Sequence, residues 1–137
     1  MRSYAPAMAL EDDVRHAAAQ AAAFAAPGER VSAVLAAEPS PGARVYVCSF
    51  ESDTGRSWLA LDAGGEALTN RAVVREAVSL LALCEIAEEA AEIEVVHPRL
   101  ATPAYLDSIG TPDVAASMHA VDALLQDVES AYKQELT

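Results

Sequence analysis

The sequence of residues 77–87 is AVSLLALCEIA, in which Ser79 and Glu85 are the only polar residues. The surrounding pattern predicts a helix from Asn70 to about residue 92, with Asn70 or Thr69 as its N-cap. A helix that is apolar on nearly every side is buried on most of them. This segment therefore predicts a central helix that the rest of the fold has to surround.

Two runs rich in β-branched and aromatic residues precede the central helix and predict a β-hairpin over residues 44–61. The runs span residues 44–50 and 57–61, and the Asp-Thr-Gly sequence at residues 53–55 supplies a turn. Apolar side chains alternate onto both faces of each run, which indicates that the hairpin is covered on both faces. Short edge strands are expected at residues 66–68 and 93–96.

Two helices are expected before the hairpin. An apolar stripe at helical spacing predicts a first helix that starts at Leu10 and ends before the Pro27-Gly28 break. A second, shorter helix is expected over residues 29–37, because its apolar side chains also fit helical spacing. Residues 1–8 are expected to be flexible.

Two helices are also expected after the central one. Thr102 and Thr111 each precede a proline, and a threonine cap followed by proline in the first turn is typical of a helix start. The first signal predicts a short helix that ends at Gly110. The second predicts a long helix from Pro112 to about Gln134.

Together these elements predict a single domain of residues 1–137 in the α+β class, with about five helices packed on a small antiparallel sheet. The sheet is built from the hairpin at residues 44–61 and short edge strands. The length fits one domain. The elements do not alternate as strand, helix, strand, which argues against a doubly wound parallel sheet.

Composition excludes several classes of partner. The net charge is −12, from 21 acidic and 9 basic residues, so binding to nucleic acid is disfavoured while a basic protein partner is compatible. No run approaches the roughly 20 apolar residues of a membrane helix.

Cys48 and Cys84 lie far apart in apolar surroundings, which predicts buried thiols and a reducing, cytoplasmic location. The alanine-rich, acidic composition suggests a bacterial source.

The sequence contains no local catalytic signature of the hydrolase, phosphate-loop, dinucleotide or zinc-protease type. The three histidines, at positions 16, 97 and 119, fall on separate elements. The acidic cluster over residues 85–94 lacks the Glu and His pairing of a carboxylate-bridged metal site, which favours a solvated face. No catalytic residue, cofactor or metal site is therefore predicted, and enzymatic activity is left open.

The charge order of the central helix is unusual. Helix dipoles favour acids near the start and bases near the end, but Arg71 and Arg75 open this helix and four glutamates close it. Two copies packed antiparallel about a two-fold axis would place each arginine pair beside the partner's acidic end. Cover by the first and last helices of the same chain is an equally consistent arrangement. The residues expected in the dimer interface are Arg71, Val74, Arg75, Val78, Leu81, Glu88, Glu89 and Glu92.

A second arrangement would turn the start of the central helix into an anion site. Free N–H groups at a helix start bind phosphate or carboxylate, and arginines one turn apart add charge. The candidate residues are Gly64, Gly65, Asn70, Arg71 and Arg75. The leading hypothesis is nevertheless a non-enzymatic, homodimeric interaction module, with a small-molecule (anionic ligand) binding domain as the alternative.

Overall fold

The computed structural model describes residues 5–137, without the side chains of residues 5–8 and 114. Four helices and four strands form the α+β fold that the sequence predicts, with one helix fewer than expected. The elements, in chain order, are α1 (Ala5–Ala22), β1 (Arg30–Ala37), β2 (Val45–Ser52), β3 (Gly55–Asp62), α2 (Arg71–Ala90), β4 (Leu100–Ala101), α3 (Pro103–Ile109) and α4 (Val114–Ser130).

The sheet is mixed, with the strand order β3-β2-β1-β4. β1, β2 and β3 form an antiparallel meander, and Ser52 lies opposite Gly55 so that two residues make the β2–β3 turn. β4 pairs in parallel with the end of β1, through Ala36 with Leu100 and Ala37 with Ala101. The expectation of a purely antiparallel sheet is therefore wrong at this one pair.

Helices cover both faces of the sheet, as the hairpin sequence predicts. Tyr46, Cys48 and Phe50 of β2 pack on one face in a cluster with α1. Val45 and Val47 point to the opposite face, in a larger cluster with α2, α3 and α4. The core is thus divided into two layers by the meander.

The predicted helix at residues 29–37 is wrong, because these residues form β1. Along this strand Val34 and Ala36 pack on the α1 side, while Leu35 and Ala37 pack on the α2 side. That is the period of two that a strand requires. A β-bulge between Val31 and Ala33 shifts the register, so the start of the run does not show the alternation in the sequence.

The predicted edge strands also require correction. Residues 66–68 contribute only an isolated bridge between Ala67 and Leu61. Residues 93–96 have no strand structure, and the edge position is taken by Leu100 and Ala101 of β4. Leu100 and Ala101 become an edge strand through contacts made by Arg99 with α2, described below, rather than through a run of β-forming residues.

The helix caps are largely as predicted. The Asn70 side chain caps α2 by accepting a hydrogen bond from the Val73 N–H at 3.2 Å, and Thr102 caps α3. α4, however, begins after Asp113, whose carboxylate accepts from the next N–H groups, rather than after Thr111. α4 also ends at Ser130, short of the expected end. α1 begins at Ala5, so its first residues belong to the segment expected to be flexible, and residues 1–4 lie outside the described chain.

The outer edge of β3 is closed by the segment that follows α4. The Trp58 N–H donates to the Ala131 carbonyl at 3.0 Å, and the Lys133 N–H donates to the Trp58 carbonyl at 2.9 Å. The Tyr132 hydroxyl adds a 2.6 Å bond to the Leu68 carbonyl. This segment therefore protects one border of the sheet from further pairing.

Glu29, just before β1, is bound by the same segment. The hydrogen bond from Lys133, with further bonds from the Ala26 N–H and the Ser57 hydroxyl, lowers the pKa of Glu29 to about 2. The ordinary value is about 4.3. As the pH falls, Glu29 is therefore protonated in the unfolded chain before it is protonated in the folded chain. The stabilisation that the Glu29 carboxylate contributes above about pH 4.3 is lost toward pH 2.

We expect Glu29→Gln to remove part of the acid sensitivity of the fold. Urea unfolding followed from pH 6 down to about pH 2.5 should show a shallower loss of stability for the variant than for the wild type, since the glutamine does not titrate. Glu66→Gln, at an exposed position, is the matched control and should follow the wild type. Parallel curves for Glu29→Gln and wild type would contradict the assignment.

Candidate functional site

The apolar side of α2 is buried inside the chain's own core. Val74 and Val78 are each 1% exposed and Leu81 is 4% exposed, among residues of the sheet and of α4. The central helix is thus surrounded, as its sequence predicts. These three residues, which were expected in a dimer interface, are covered by the single chain.

The two arginines at the start of α2 have a partner within the chain. Arg71 donates to Glu129 at 3.1 Å and to the Leu136 carbonyl at 3.2 Å, and Arg75 also hydrogen-bonds Glu129. Glu129 lies near the end of α4, so α2 and α4 run antiparallel. The hydrogen bond from Arg75 lowers the pKa of Glu129, with Arg71 contributing further. The carboxylate that the charge order of α2 calls for is therefore supplied by α4.

The polar groups of the anion hypothesis have partners within the described chain. The Asp62 carboxylate accepts the N–H groups of Gly64 and Glu66 at 2.9 and 3.0 Å, so donors in this turn already have an anionic partner. Gly65 has φ 85°, a left-handed conformation that side chains with a Cβ adopt only with strain, which explains the glycine without a ligand. The Asn70 side chain serves as the cap. An anion at Arg71 and Arg75 would have to compete with Glu129.

Glu88 was expected on a solvated face, and this is wrong: it is 4% exposed. Its two carboxylate oxygens accept a fork of bonds from Arg99, at 2.8 and 2.9 Å, and a 2.6 Å bond from the Tyr105 hydroxyl. The Arg99 hydrogen bonds hold the pKa of Glu88 below its usual range. This network fixes Arg99, and with it the start of β4, against α2.

The other acidic residues of the cluster are exposed as predicted. Glu85, Glu89, Glu92 and Glu94 face solvent, and the described residues contain no group of three or more histidine, cysteine, aspartate or glutamate side chains placed to hold a metal ion. Glu85 and Glu89 make no ion pair with any described residue. They form an open acidic end on α2.

Both cysteines are buried and free, which confirms the interpretation of them as small apolar residues. Burial raises the pKa of the Cys48 thiol to about 12 and that of the Cys84 thiol to about 11. A nucleophilic cysteine needs a stabilised thiolate at neutral pH. Neither thiol meets this requirement.

A groove of about 320 Å³ lies between the outer surfaces of α2 and α4. Ile86 and Leu124 are half-buried in it, Ala82 and Ala120 leave space between the helices, and the carboxylate of Glu89 stands at its rim. We call this surface the α2–α4 groove. Its lining residues are Ala82, Glu85, Ile86, Glu89, Ala120 and Leu124.

Charges of opposite sign lie on either side of Ala82, which lines one end of the groove. Arg75, Ala82 and Glu89 are spaced seven residues apart and share one face of α2. At 1.5 Å per residue, Arg75 and Glu89 each lie about 10 Å from Ala82 along the helix axis. A half-turn about an axis through Ala82, perpendicular to the helix, therefore brings Arg75 to the position of Glu89 and Glu89 to the position of Arg75.

Comparison of the chain with protein-family models, with curated proteins and with solved structures gives no significant match. Within the described part of the chain, no helix is long and apolar enough to cross a membrane.

Proposed function

We propose that the protein is a non-enzymatic interaction module that forms a homodimer through the α2–α4 groove, in a bacterial cytoplasm. The observation that carries the proposal is the arrangement of Arg75 and Glu89 on opposite sides of Ala82, along the α2–α4 groove. The two buried, free cysteines are compatible with a reducing compartment.

A two-fold axis near Ala82 would place Arg75 of one copy beside Glu89 of the other, twice. Such isologous contacts are the commonest way in which soluble proteins pair. Ile86 and Leu124 of each copy would fill the partner's groove, because the alanines at its floor permit a close approach of the helices. Of the interface that the sequence predicts, only exposed charged residues such as Arg75 and Glu89 take part in this arrangement. Its apolar residues, Val74, Val78 and Leu81, lie in the core.

The intramolecular contact of Arg75 with Glu129 is compatible with this arrangement. Arg75 is 46% exposed, and a guanidinium has five N–H donors. One guanidinium can therefore bond Glu129 of its own chain and Glu89 of the partner. Arg75 would then link the Glu129 carboxylate of its own chain to the Glu89 carboxylate of the partner, and the contact within the chain would be kept.

Charge reversal at Glu89 tests the proposal. Glu89→Arg should raise the dimer dissociation constant at least tenfold, because it places two arginines against each other where an ion pair is expected. The double variant Arg75→Glu with Glu89→Arg should recover most of the affinity, since Arg71 keeps its contact with Glu129. Light scattering over a range of protein concentrations, at low and high salt, measures the mass in each case.

The matched control is Glu76→Arg, the same charge change at an exposed position of α2 outside the groove. It should leave the dissociation constant within about threefold of the wild type, an effect of under 1 kcal/mol. A wild-type protein that stays monomeric at every concentration would overturn the proposal. So would a dimer that responds equally to both single substitutions.

A further inference from the structure

A second groove, of about 420 Å³, lies along the outer edge of β1, between α1 and the segment that leads into β4. We call it the β1-edge groove. Its volume falls within the range of roughly 300–1,000 Å³ that is typical of sites for one small molecule. Its principal lining residues are Val14, Val34, Leu35, His97, Pro98 and Arg99.

Most of the wall of the β1-edge groove is apolar. Val14 contributes from α1, Val34 and Leu35 contribute from β1, and Pro98 precedes β4. All four side chains are half-buried, so part of their apolar surface still faces water. A ligand with a hydrocarbon part would remove that surface from water, which is favourable.

The ionisable side chains that line this groove, His97 and Arg99, are both basic. Arg99 donates from Nε and Nη2 to Glu88, at 2.8 and 2.9 Å, whereas its Nη1 bonds no described residue. The described side chains contain no fully buried nitrogen that lacks a partner, so Nη1 is reached by solvent. His97 is exposed. Both side chains can therefore donate hydrogen bonds to an anionic group in the groove.

The strand edge itself offers little to a peptide. β4 pairs with Ala36 and Ala37 of β1, and in the described chain Val34 is the one residue beyond the bulge with outward backbone groups that no strand pairs. A peptide strand would leave most of its own amides without partners against an apolar wall, which is unfavourable. A hydrocarbon chain has no such groups to satisfy.

We propose that the β1-edge groove binds a free monocarboxylic acid with an unbranched apolar tail of medium length. Its carboxylate accepts hydrogen bonds from Arg99 and His97, and its tail lies against Val14, Val34 and Leu35. The net charge of −12 does not oppose this locally, because no acidic residue lines the groove. The site shares no residue with the start of α2 or with the α2–α4 groove, and it does not rest on the homodimer.

Sodium octanoate is the probe, and isothermal titration calorimetry at low salt measures its dissociation constant. We expect saturable binding of one octanoate per chain. Octanamide has a tail of the same length without the charge and should bind at least tenfold more weakly, because it cannot form charge-assisted hydrogen bonds. Hexanoate should bind about five- to fifteenfold more weakly, because two fewer methylene groups are buried. Acetate, which has the charge without the tail, should show no saturable binding.

On the protein, His97→Glu places a carboxylate beside the groove, and His119→Glu makes the same charge change at an exposed position of α4 outside it. His97→Glu should weaken octanoate binding at least tenfold, and His119→Glu by less than threefold. Octanamide should bind both variants within threefold of the wild type, because it carries no charge to be repelled. Circular dichroism confirms that both variants are folded.

Absence of saturable octanoate binding overturns the proposal, as does octanamide that binds as tightly as octanoate. Equal effects of His97→Glu and His119→Glu on octanoate also overturn it. So does an equal loss of octanoate and octanamide in His97→Glu, because the substitution would then act on the shape of the groove. The Glu89→Arg variant should bind octanoate like the wild type, so failure of the homodimer proposal is distinguishable from failure of this one.

Discussion

Glu88→Ala is expected to lower the free energy of unfolding by about 3–5 kcal/mol, because it leaves a buried guanidinium without its partner. The Arg99 side chain is 13% exposed and the Glu88 side chain 5%, so water screens neither of them well. The substitution also removes the acceptor of the Tyr105 hydroxyl. Urea unfolding at neutral pH, monitored by circular dichroism, gives the value.

Two comparisons separate the ion pair from the helix that carries it. Glu85→Ala, at an exposed position of α2, should change the stability by less than about 0.5 kcal/mol. The double variant Glu88→Leu with Arg99→Met removes both charges and should recover most of the loss, because apolar replacements of a buried pair are often neutral. A double variant as unstable as Glu88→Ala would mean that packing, rather than the unpaired charge, accounts for the effect.

Phe50→Ala should cost a similar amount, about 3–5 kcal/mol, for a different reason. The ring is fully buried between β2 and α1, and truncation leaves a cavity that the surrounding side chains cannot fill. The Lys133 ammonium lies 4.6 Å from the ring centroid, so its contact with the ring is lost as well. Thermal and urea unfolding both report the loss.

Val96→Ala serves as the control for this truncation, since that side chain is 83% exposed and should contribute almost nothing. Phe50→Leu keeps most of the volume and should recover more than half of the loss. If Phe50→Ala proved as stable as Val96→Ala, the α1 layer could not be part of the cooperative core.

Much of the fold follows from local sequence. The central helix, its Asn70 cap, the hairpin and its cover on both faces were all predicted, because each depends on the periodicity of neighbouring residues. The first helix was predicted as well, although it starts earlier than the apolar stripe shows. These elements have strong patterns over ten or more residues.

The two missed strands lack such patterns. β1 contains three alanines among its eight residues, and alanine favours a helix where no pairing overrides it. The pairing with β2 does override it. β4 is only two residues long and follows from the Glu88–Arg99 contact, for which the sequence offers no local signal.

The site was predictable only in part. The charge order of α2 suggested that groups of opposite charge compensate Arg71 and Arg75, either from a second copy or from an anionic ligand, and it did not point to Glu129 of the same chain. Glu129 lies more than fifty residues away in sequence, so the contact appears only when α4 is placed. That the chain forms a homodimer and that it binds an anion at the start of α2 both remain predictions.

The borders of the sheet also constrain the order in which it is completed. Ala60 and Tyr132, which meet at one border, are separated by 72 residues, and the other border joins Ala36 to Leu100. The meander between them needs only short turns. Since contacts between distant segments form slowly, assembly should spread outward from β2 and reach both borders last.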